Sequence, residues 1–268
     1  MPEADGLYYE THGPADAPTL ILSPGLGGSA AYWQANIPAL AEHFRVIAYD
    51  HRGIGRSERE PPGPTSIEDM AQDVITLMDA LHVNYAHFMG HAMGGLIGLE
   101  LAMRAPERIS RLVIVNGWGQ LDPYTARCFD VRLALLRGSG PEAYLQAQPI
   151  FFYPPNWTSL NHKRLEAEAV EELVQFPGRA TVEKRIAALR DWHPGPALAD
   201  IELPVLVFAT ADDALVPSQA SRGLCDLLPL GRRMIQASGG HACNITEPAQ
   251  FAALILPWLL GQDDGQEI

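Results

Sequence analysis

Cysteine is scarce in this sequence, and the few cysteines present exclude two kinds of structure. The chain has three, Cys128, Cys225 and Cys243, which are far apart and never form a Cys-x-x-Cys pair. Such an odd and scattered set predicts neither a disulfide framework nor a zinc site. Cys243 stands two residues from His241, which makes it a candidate substitute nucleophile, although a buried cysteine without a chemical role is the more common case.

Positive charge and long apolar runs are also lacking. Lysine and arginine number 19 against 32 acidic residues, which gives a formal net charge of −13 and disfavours nucleic acids and anionic membrane surfaces as partners. No apolar run approaches the ~20 residues that cross a bilayer, and the N-terminal residues are polar and acidic, unlike a signal peptide. We therefore expect a cytoplasmic protein that acts on a small molecule. The sequence leaves open whether it forms a homodimer.

Apolar residues make up 47% of the 268-residue chain, enough for a large core, and their pattern predicts alternating strands and helices. The predicted strands cover residues 7–10, 19–23, 45–49, 85–89, 111–116, 204–210 and 232–237. The predicted helices cover residues 30–42, 66–81, 96–102, 218–228 and 247–260. This alternation predicts an α/β protein with a mostly parallel central sheet and right-handed crossovers.

The alternation stops between Gly119 and Asp200, where strand-like runs disappear. Four helical stretches remain, together with a joint rich in aromatic residues and proline; the helices are predicted at 125–137, 141–148, 161–176 and 181–192, and the joint at 151–157. A helical insertion after a central strand is typical of a cap over a sheet. We therefore predict a core formed by residues 1–118 and 201–268 and a cap formed by residues 119–200, with a loosely held polar tail from residue 261.

The sharpest local pattern is Gly90-His91-Ala92-Met93-Gly94, between an apolar strand and an apolar helix. Strand, glycine turn and helix are the surroundings of a nucleophile elbow, G-x-S-x-G, whose glycines leave room for a strained turn residue. Here Ala92 occupies the serine position. Because no acyl-enzyme can form at a methyl group, direct attack by water is the chemistry that remains.

Two later loops fit the other members of a catalytic triad. Asp212 and Asp213 follow a predicted strand, with Asp213 the better placed of the two, and His241 follows the last strand. An acid in such a loop is often only a helix cap, and a loop histidine is usually polar surface. The order elbow, acid, histidine nevertheless matches the order of the triad. We predict that His241, oriented by Asp213, is a general base for water.

Two backbone amides are predicted to form an oxyanion hole. One is that of Leu26, in the glycine loop 25–29, and the other is that of Met93, directly after the elbow residue. The candidate substrate contacts are Asn116, Trp118 and Arg127. Arg127 is included because an arginine early in the first helix of the insertion could face an anionic substrate, although an arginine at the protein surface is the more common case.

Metal and cofactor motifs are weak or absent. His87 and His91 are four residues apart, but a strand and a turn separate them, so they do not share a helix face. The glycine pairs at 25–28 and 53–55 lack the full dinucleotide or phosphate-binding pattern. We predict no metal and no cofactor.

Several segments together resemble the α/β-hydrolase superfamily over nearly the whole chain. They are Asp50-His51-Arg52-Gly53-x-Gly55-x-Ser57, the elbow frame and Gly239-Gly240-His241. More narrowly, the chain resembles the RutD family, the hydrolase-like proteins of the Rut pyrimidine-utilisation pathway, which are similar in having alanine at the elbow. The segments that carry this narrower likeness are Gly25-Leu26-Gly27-Gly28-Ser29, Gly90-His91-Ala92, Val115-Asn116-Gly117-Trp118, Arg127-Cys128-Phe129 and Gly240-His241-Ala242-Cys243-Asn244.

The resemblance implies an α/β-hydrolase fold and a role in uracil breakdown. The implied reaction is hydrolysis of 3-aminoacrylate to malonic semialdehyde and ammonia, or of carbamate to ammonia and carbon dioxide. A general base alone gives ~10²–10⁴-fold acceleration, which suffices for such labile compounds. Two alternatives remain open: a serine esterase that carries a serine-to-alanine change, and a non-catalytic binding protein that keeps the fold.

Overall fold

A computed structural model describes residues 3–59 and 63–262. Its sheet has eight strands: β1 (Glu3–Ala4), β2 (Leu7–His12), β3 (Thr19–Ser23), β4 (Arg45–Tyr49), β5 (Ala86–His91), β6 (Ile109–Val115), β7 (Val205–Thr210) and β8 (Gly231–Gln236). Their spatial order is β1-β2-β4-β3-β5-β6-β7-β8, and all pairs from β4 to β8 are parallel. The predicted strands and the mostly parallel sheet are confirmed. The tail predicted to be loose lies mostly outside the described residues.

Helices connect the parallel strands. They are α1 (Ile37–Leu40), α2 (Ile67–Ala80), α3 (Met93–Arg104), α4 (Pro123–Gly138), α5 (Gly140–Phe152), α6 (Pro155–Leu160), α7 (His162–Val174), α8 (Arg179–Asp191), α9 (Ser218–Cys225), α10 (Cys243–Thr246) and α11 (Pro248–Leu259). Shorter 3₁₀ segments cover Ala30–Trp33, Pro106–Arg108 and Gly195–Asp200. Among the described residues, every helix is too short or too polar to cross a bilayer.

The single helix predicted over residues 30–42 is wrong. The chain forms a 3₁₀ segment, Ala30–Trp33, and then the one-turn helix α1. Pro38 lies in the first turn of α1, where its missing N–H group costs nothing. In the middle of a longer helix the same proline would remove a hydrogen bond and clash with the preceding turn.

The central strands supply two separate cores, one on each face of the sheet. On β3, Ile21 packs into the core that contains residues of α2 and α3, while Leu20 and Leu22 pack into the core that contains residues of α1 and α11. This follows from the two-residue repeat of a strand, which sends successive side chains to opposite faces. The sheet is therefore covered on both sides, and its loops are the surfaces left for chemistry.

Between β6 and β7 the described chain forms only helices, α4 to α8 and the segment Gly195–Asp200. The four predicted helices are confirmed, but the predicted joint at 151–157 is wrong in part. Helix α5 continues to Phe152 and α6 begins at Pro155, because proline is well accommodated at the first position of a helix. The segment packs onto the loops of the sheet: Thr125 Oγ1 donates to the Leu215 carbonyl at 2.8 Å.

The turn from β5 into α3 fits against the end of β3 with no room for a side chain at Gly94. A Cβ atom there would collide with the carbonyl oxygens of Ser23 and Pro24. Because these are backbone atoms, rotation of a side chain cannot relieve the clash. The elbow can therefore form only with glycine at this position.

We expect Gly94→Ala to lower the free energy of unfolding by about 3 kcal/mol, the usual cost of overpacking a rigid site. Urea denaturation measures this change in the free energy of unfolding. Gly138→Ala is the matched control, because a Cβ at this residue of α4 meets no atom within 4 Å. That variant should be unchanged or up to ~1 kcal/mol more stable. Equal stability of the two variants would contradict the packing argument.

Candidate active site

Ala92 forms the junction between β5 and α3 in a backbone conformation that non-glycine residues rarely adopt. Its φ is 45° and its ψ is −107°, and its N–H donates to the Val115 carbonyl at 2.8 Å. The residue is buried. Because strained positions of this kind persist only where surrounding structure fixes them, they cluster at functional sites. Here the turn presents a methyl group.

His241 and Asp213 form a buried hydrogen-bonded pair close to this turn. Nδ1 of His241 donates to Oδ2 of Asp213 at 2.8 Å, and the two side chains are 2% and 0% exposed. A carboxylate only accepts hydrogen bonds, so in the neutral ring Nδ1 carries the proton and Nε2 keeps its lone pair. No described residue hydrogen-bonds Nε2. This nitrogen is therefore left to act on water or a ligand.

The two adjacent acids Asp212 and Asp213 have different partners. Oδ1 of Asp213 accepts from the N–H groups of Leu215 and Val216 at 2.7 and 2.8 Å, so the loop holds its other oxygen toward His241. Asp212 instead accepts from the N–H groups of Gly240 at 2.8 Å and Gly239 at 3.2 Å. Asp213 is thus the partner of the histidine, and Asp212 shapes the loop that carries it.

Asn116 supports the His241 loop rather than facing a ligand. Its Nδ2 donates to the His241 carbonyl at 2.7 Å, and its Oδ1 accepts from the Thr210 N–H at 3.1 Å. The residue is buried, with φ at 50°. Because backbone groups occupy both ends of the amide, the predicted substrate contact has no support at Asn116.

His91 is a second support of the same loop. Its Nε2 donates to the His241 carbonyl at 2.8 Å, and its ring lies 4.5 Å from the His241 ring and 4.7 Å from the Tyr32 ring, measured between centroids. Burial, with a smaller effect of His241, holds the pKa of His91 well below its ordinary value. The ring is therefore neutral, and it orients the loop without adding charge beside His241.

Arg185 on α8 connects the two loops predicted to form the oxyanion hole. Its Nε donates to the Leu26 carbonyl at 3.0 Å, and its Nη2 contacts the Gly25 carbonyl at 3.5 Å and Met93 Sδ at 3.3 Å. The Gly25 carbonyl and the Leu26 N–H share one trans peptide and point in opposite directions, so this N–H faces away from Arg185. Met93 is the first residue of α3, and its N–H therefore has no carbonyl partner within the helix. Their joint role as an oxyanion hole stays a prediction.

His51 extends this network below the loops. Nη2 of Arg185 donates to Nδ1 of His51 at 2.7 Å, and since arginine only donates, the proton of the ring lies on Nε2, which donates to Ser23 Oγ at 3.2 Å. Burial and the Arg185 guanidinium hold the pKa of His51 well below its ordinary value. The sequence motif contained His51, but nothing in the sequence indicated Arg185, because helix arginines usually lie on the surface.

The remaining candidate substrate contacts occupy opposite environments. Trp118 is buried, 6.4 Å from the Phe129 ring between centroids. Arg127 is exposed on α4, so its predicted place facing a substrate is not supported. The arginine of α4 that lies inside the protein is Arg132, five residues further on and 2% exposed. Within the described residues, no group of three or more histidine, cysteine or acidic residues is arranged to hold a metal ion.

Cys243 lies in the same cluster, yet its environment suppresses nucleophilic chemistry. The residue is buried, and Asn116 Nδ2 approaches its Sγ at 3.9 Å. Burial, followed by the negative charge of Asp213, raises the pKa of the Cys243 thiol far above its ordinary value. Because only the thiolate is a strong nucleophile, this cysteine is a poor substitute for a serine.

We expect iodoacetamide at about pH 8 to leave Cys243 unmodified in the folded protein, since this pH lies below even the ordinary thiol pKa of ~8.5 and burial moves the pKa higher still. Peptide mass spectrometry after a timed reaction measures the fraction of Cys243 that is alkylated. The control is the same reaction in urea, where all three cysteines should react. Rapid alkylation of Cys243 in the native state would restore it as a candidate nucleophile.

Comparison with known proteins finds the same architecture and a narrower likeness. Residues 18–248 match the family described as the alpha/beta hydrolase fold. A protein of Agrobacterium fabrum that carries the provisional name carbamate hydrolase RutD is 47% identical over 259 residues, which cover 96% of this chain and 99% of that protein. A protein of the same provisional name from Caulobacter sp. is 48% identical over 260 residues, with 96% and 97% covered.

A solved structure supports the same assignment. The crystal structure of a hydrolase from Pseudomonas aeruginosa superposes with a TM-score of 0.84 at 32% identity, and the match covers 95% of this chain and 94% of that one. The fold predicted from the motifs is therefore confirmed over nearly the whole length.

Proposed function

The chain belongs to the RutD family of α/β hydrolases, and from that membership we propose that it hydrolyses a small C–N compound of pyrimidine breakdown, 3-aminoacrylate or carbamate. The family gives the class of reaction, a hydrolase. The substrate and the mechanism are our proposal. It draws on the provisional name of the relatives and on the chemistry that the site residues can perform.

The observation that carries the proposal is the His241–Asp213 pair beside a turn that holds only a methyl group. The pair leaves Nε2 of the imidazole without a hydrogen-bond partner among the described residues, while Ala92 offers no nucleophile. A histidine in this state can take a proton from water, as it takes one from serine in a triad. Because Ala92 has only a methyl group, the position that a serine hydroxyl would take is open to that water.

The proposed step conserves atoms and protons. Water oxygen bonds to the carbon that carries nitrogen, Nε2 of His241 takes one proton of the water, and this proton passes to the nitrogen as ammonia leaves. With 3-aminoacrylate and one water this substitution gives ammonia and the enol of malonic semialdehyde, and transfer of the enol hydroxyl proton to the neighbouring carbon then gives malonic semialdehyde. With carbamate they are ammonia and bicarbonate, the hydrated form of carbon dioxide. The N–H groups of Leu26 and Met93 are proposed to stabilise the negative charge that develops on oxygen.

The helical segment 119–200 is proposed to act as a cap over this site. Its residues contact the catalytic loops directly: the Phe152 carbonyl accepts from the Ala242 N–H at 3.0 Å, and Arg185 reaches the loop after β3. Both His241 and Ala92 are buried beneath these elements. Burial of this kind keeps bulk water away from the reacting atoms.

We expect His241→Ala to remove most of the enzyme-dependent release of ammonia, a loss of ~10²–10⁴-fold for a general base. Asp213→Asn should also reduce it, because the amide no longer selects the reactive tautomer. The measurement is ammonia release from freshly generated 3-aminoacrylate and from carbamate, with the spontaneous rate subtracted.

The matched controls for these two variants are His193→Ala and Asp226→Asn, which make the same changes at exposed positions. Both should retain full activity. If the two site variants also match the parent protein on both substrates, general-base catalysis by the dyad is excluded. If the parent protein itself shows no activity on either substrate, the proposed function fails.

We further expect Ala92→Ser to create turnover of small activated esters, because it places a hydroxyl in the strained turn next to His241. A burst of p-nitrophenol from p-nitrophenyl acetate, followed by slow turnover, would report an acyl-enzyme. The double variant with His241→Ala is the control and should show no burst. A folded single variant with no reaction would argue against a working oxyanion hole.

A further inference from the structure

Arg132 is a buried cation that no acid in the described part of the chain neutralises. It is 2% exposed on α4, and among the described residues no carboxylate forms an ion pair with it. Its Nη2 donates to the Tyr144 hydroxyl at 3.0 Å, while its Nε is buried without a hydrogen-bond partner. An uncompensated buried charge is strongly destabilising, so its presence indicates a partner that the described residues do not supply.

Aromatic rings surround the guanidinium instead of acids. Its Cζ lies between 5.4 and 5.8 Å from the centroids of four rings, those of Phe129, Tyr144, Phe151 and Phe152. Cation–π attraction offsets part of the cost of burial. It does not satisfy the Nε–H group, because a ring face does not replace an oxygen acceptor at full strength. The rings therefore surround a donor that has no acceptor among the described residues.

Two independent series of contacts place this guanidinium beside the candidate active site. From the histidine, the Phe152 ring lies 5.7 Å from the His241 ring and 5.4 Å from Arg132 Cζ. From the elbow, Gly117 lies next to the Ala92 carbonyl, and the following residue, Trp118, packs near Phe129, which in turn packs on Arg132. Both series of contacts therefore connect Arg132 to the candidate active site, one ending at His241 and the other at the elbow residue Ala92.

Two further polar atoms in this part of the protein are also buried without partners among the described residues. The Trp118 Nε1–H is a donor, and Gln148 Oε1 is an acceptor. Gln148 lies one helical turn from both Tyr144 and Phe152, so it shares the face of α5 that meets Arg132. Two donors without acceptors and one acceptor without a donor match a small ligand that carries both a carboxylate and an N–H group.

We propose that Arg132, assisted by the Trp118 N–H, binds the carboxylate of the substrate and restricts the site to small nitrogen-bearing carboxylates. Gln148 accepts a hydrogen bond from the nitrogen of the same molecule. This inference rests on the proposed function, since 3-aminoacrylate and carbamate both combine an anionic carboxylate with an N–H group. It adds a residue for substrate specificity that lies apart from the His241–Asp213 pair.

The test is direct binding of propionate and of its neutral isostere propionamide, measured by ligand-observed NMR on the intact protein. Propionate should bind the parent protein more tightly than propionamide does. Arg132→Gln should weaken propionate binding by about 10-fold or more, as expected for a charge-assisted hydrogen bond, and leave propionamide unchanged. Arg127→Gln makes the same change at an exposed position of the same helix and should have no effect.

Two outcomes would overturn the proposal: equal binding of propionate and propionamide to the parent protein, or unchanged propionate binding in a folded Arg132→Gln variant. If Arg132→Gln does not fold, Arg132→Lys is the second variant, because it retains the charge but loses the Nε–H group. It should weaken the binding of propionate by at least about threefold. Unchanged propionate binding in that variant would also overturn the proposal. Binding needs no turnover, so a failure of the proposed reaction is seen separately as absent ammonia release.

Steady-state kinetics on 3-aminoacrylate distinguishes a role of Arg132 in binding the substrate from a role in packing the helices. Loss of a carboxylate anchor should raise KM by about 10-fold with a smaller effect on kcat, whereas loss of the base His241 lowers kcat. A change of kcat alone in Arg132→Gln would assign Arg132 to the packing of α4 on α5 and would contradict substrate binding.

Discussion

Parallel pairing of the strands from β3 to β8 is the constraint on which the site depends. In a parallel sheet all carboxyl ends lie at one edge, and each is followed by a loop. In this protein five of those loops carry residues of the candidate site: His51 after β4, Ala92 after β5, Asn116 after β6, Asp213 after β7 and His241 after β8. These residues lie far apart in the sequence, and the topology alone brings them together.

The need to satisfy buried polar groups then fixes these loops relative to one another. The His241 carbonyl accepts hydrogen bonds from His91 and Asn116, and Thr210 Oγ1 donates to the Gly240 carbonyl at 2.6 Å. Each donor comes from a different strand end. A buried carbonyl that lost its donors would cost about 1–3 kcal/mol, so the histidine loop is held by the same forces that hold the core. This rigidity keeps the imidazole on Asp213.

The helical segment between β6 and β7 places two arginines near the sheet edge that carries Asp213 and His241. Arg185 of α8 meets carbonyl oxygens and an imidazole nitrogen, and so it acts as a support for the loops after β3 and β4. Arg132 of α4 meets aromatic rings and one hydroxyl, with its Nε unsatisfied. Both arginines are buried, and they differ in their surroundings: carbonyl oxygens and an imidazole nitrogen contact Arg185, whereas aromatic rings surround Arg132.

The amino-acid sequence was enough to predict the order of strands and helices, the glycine frame of the elbow with alanine at its centre, and the pairing of His241 with Asp213 after β7. These features follow from local rules: the repeat of apolar residues, the sterics of a tight turn, and the chain order of a triad. The three-dimensional packing was needed to show that Asp212 binds the Gly239 and Gly240 amides, that Asn116 supports a loop, and that Arg132 rather than Arg127 lies inside. Those outcomes depend on which side of a helix or loop meets its neighbours across the fold. In α4 apolar and charged residues alternate, so their spacing along the chain only weakly predicts which side of the helix is buried.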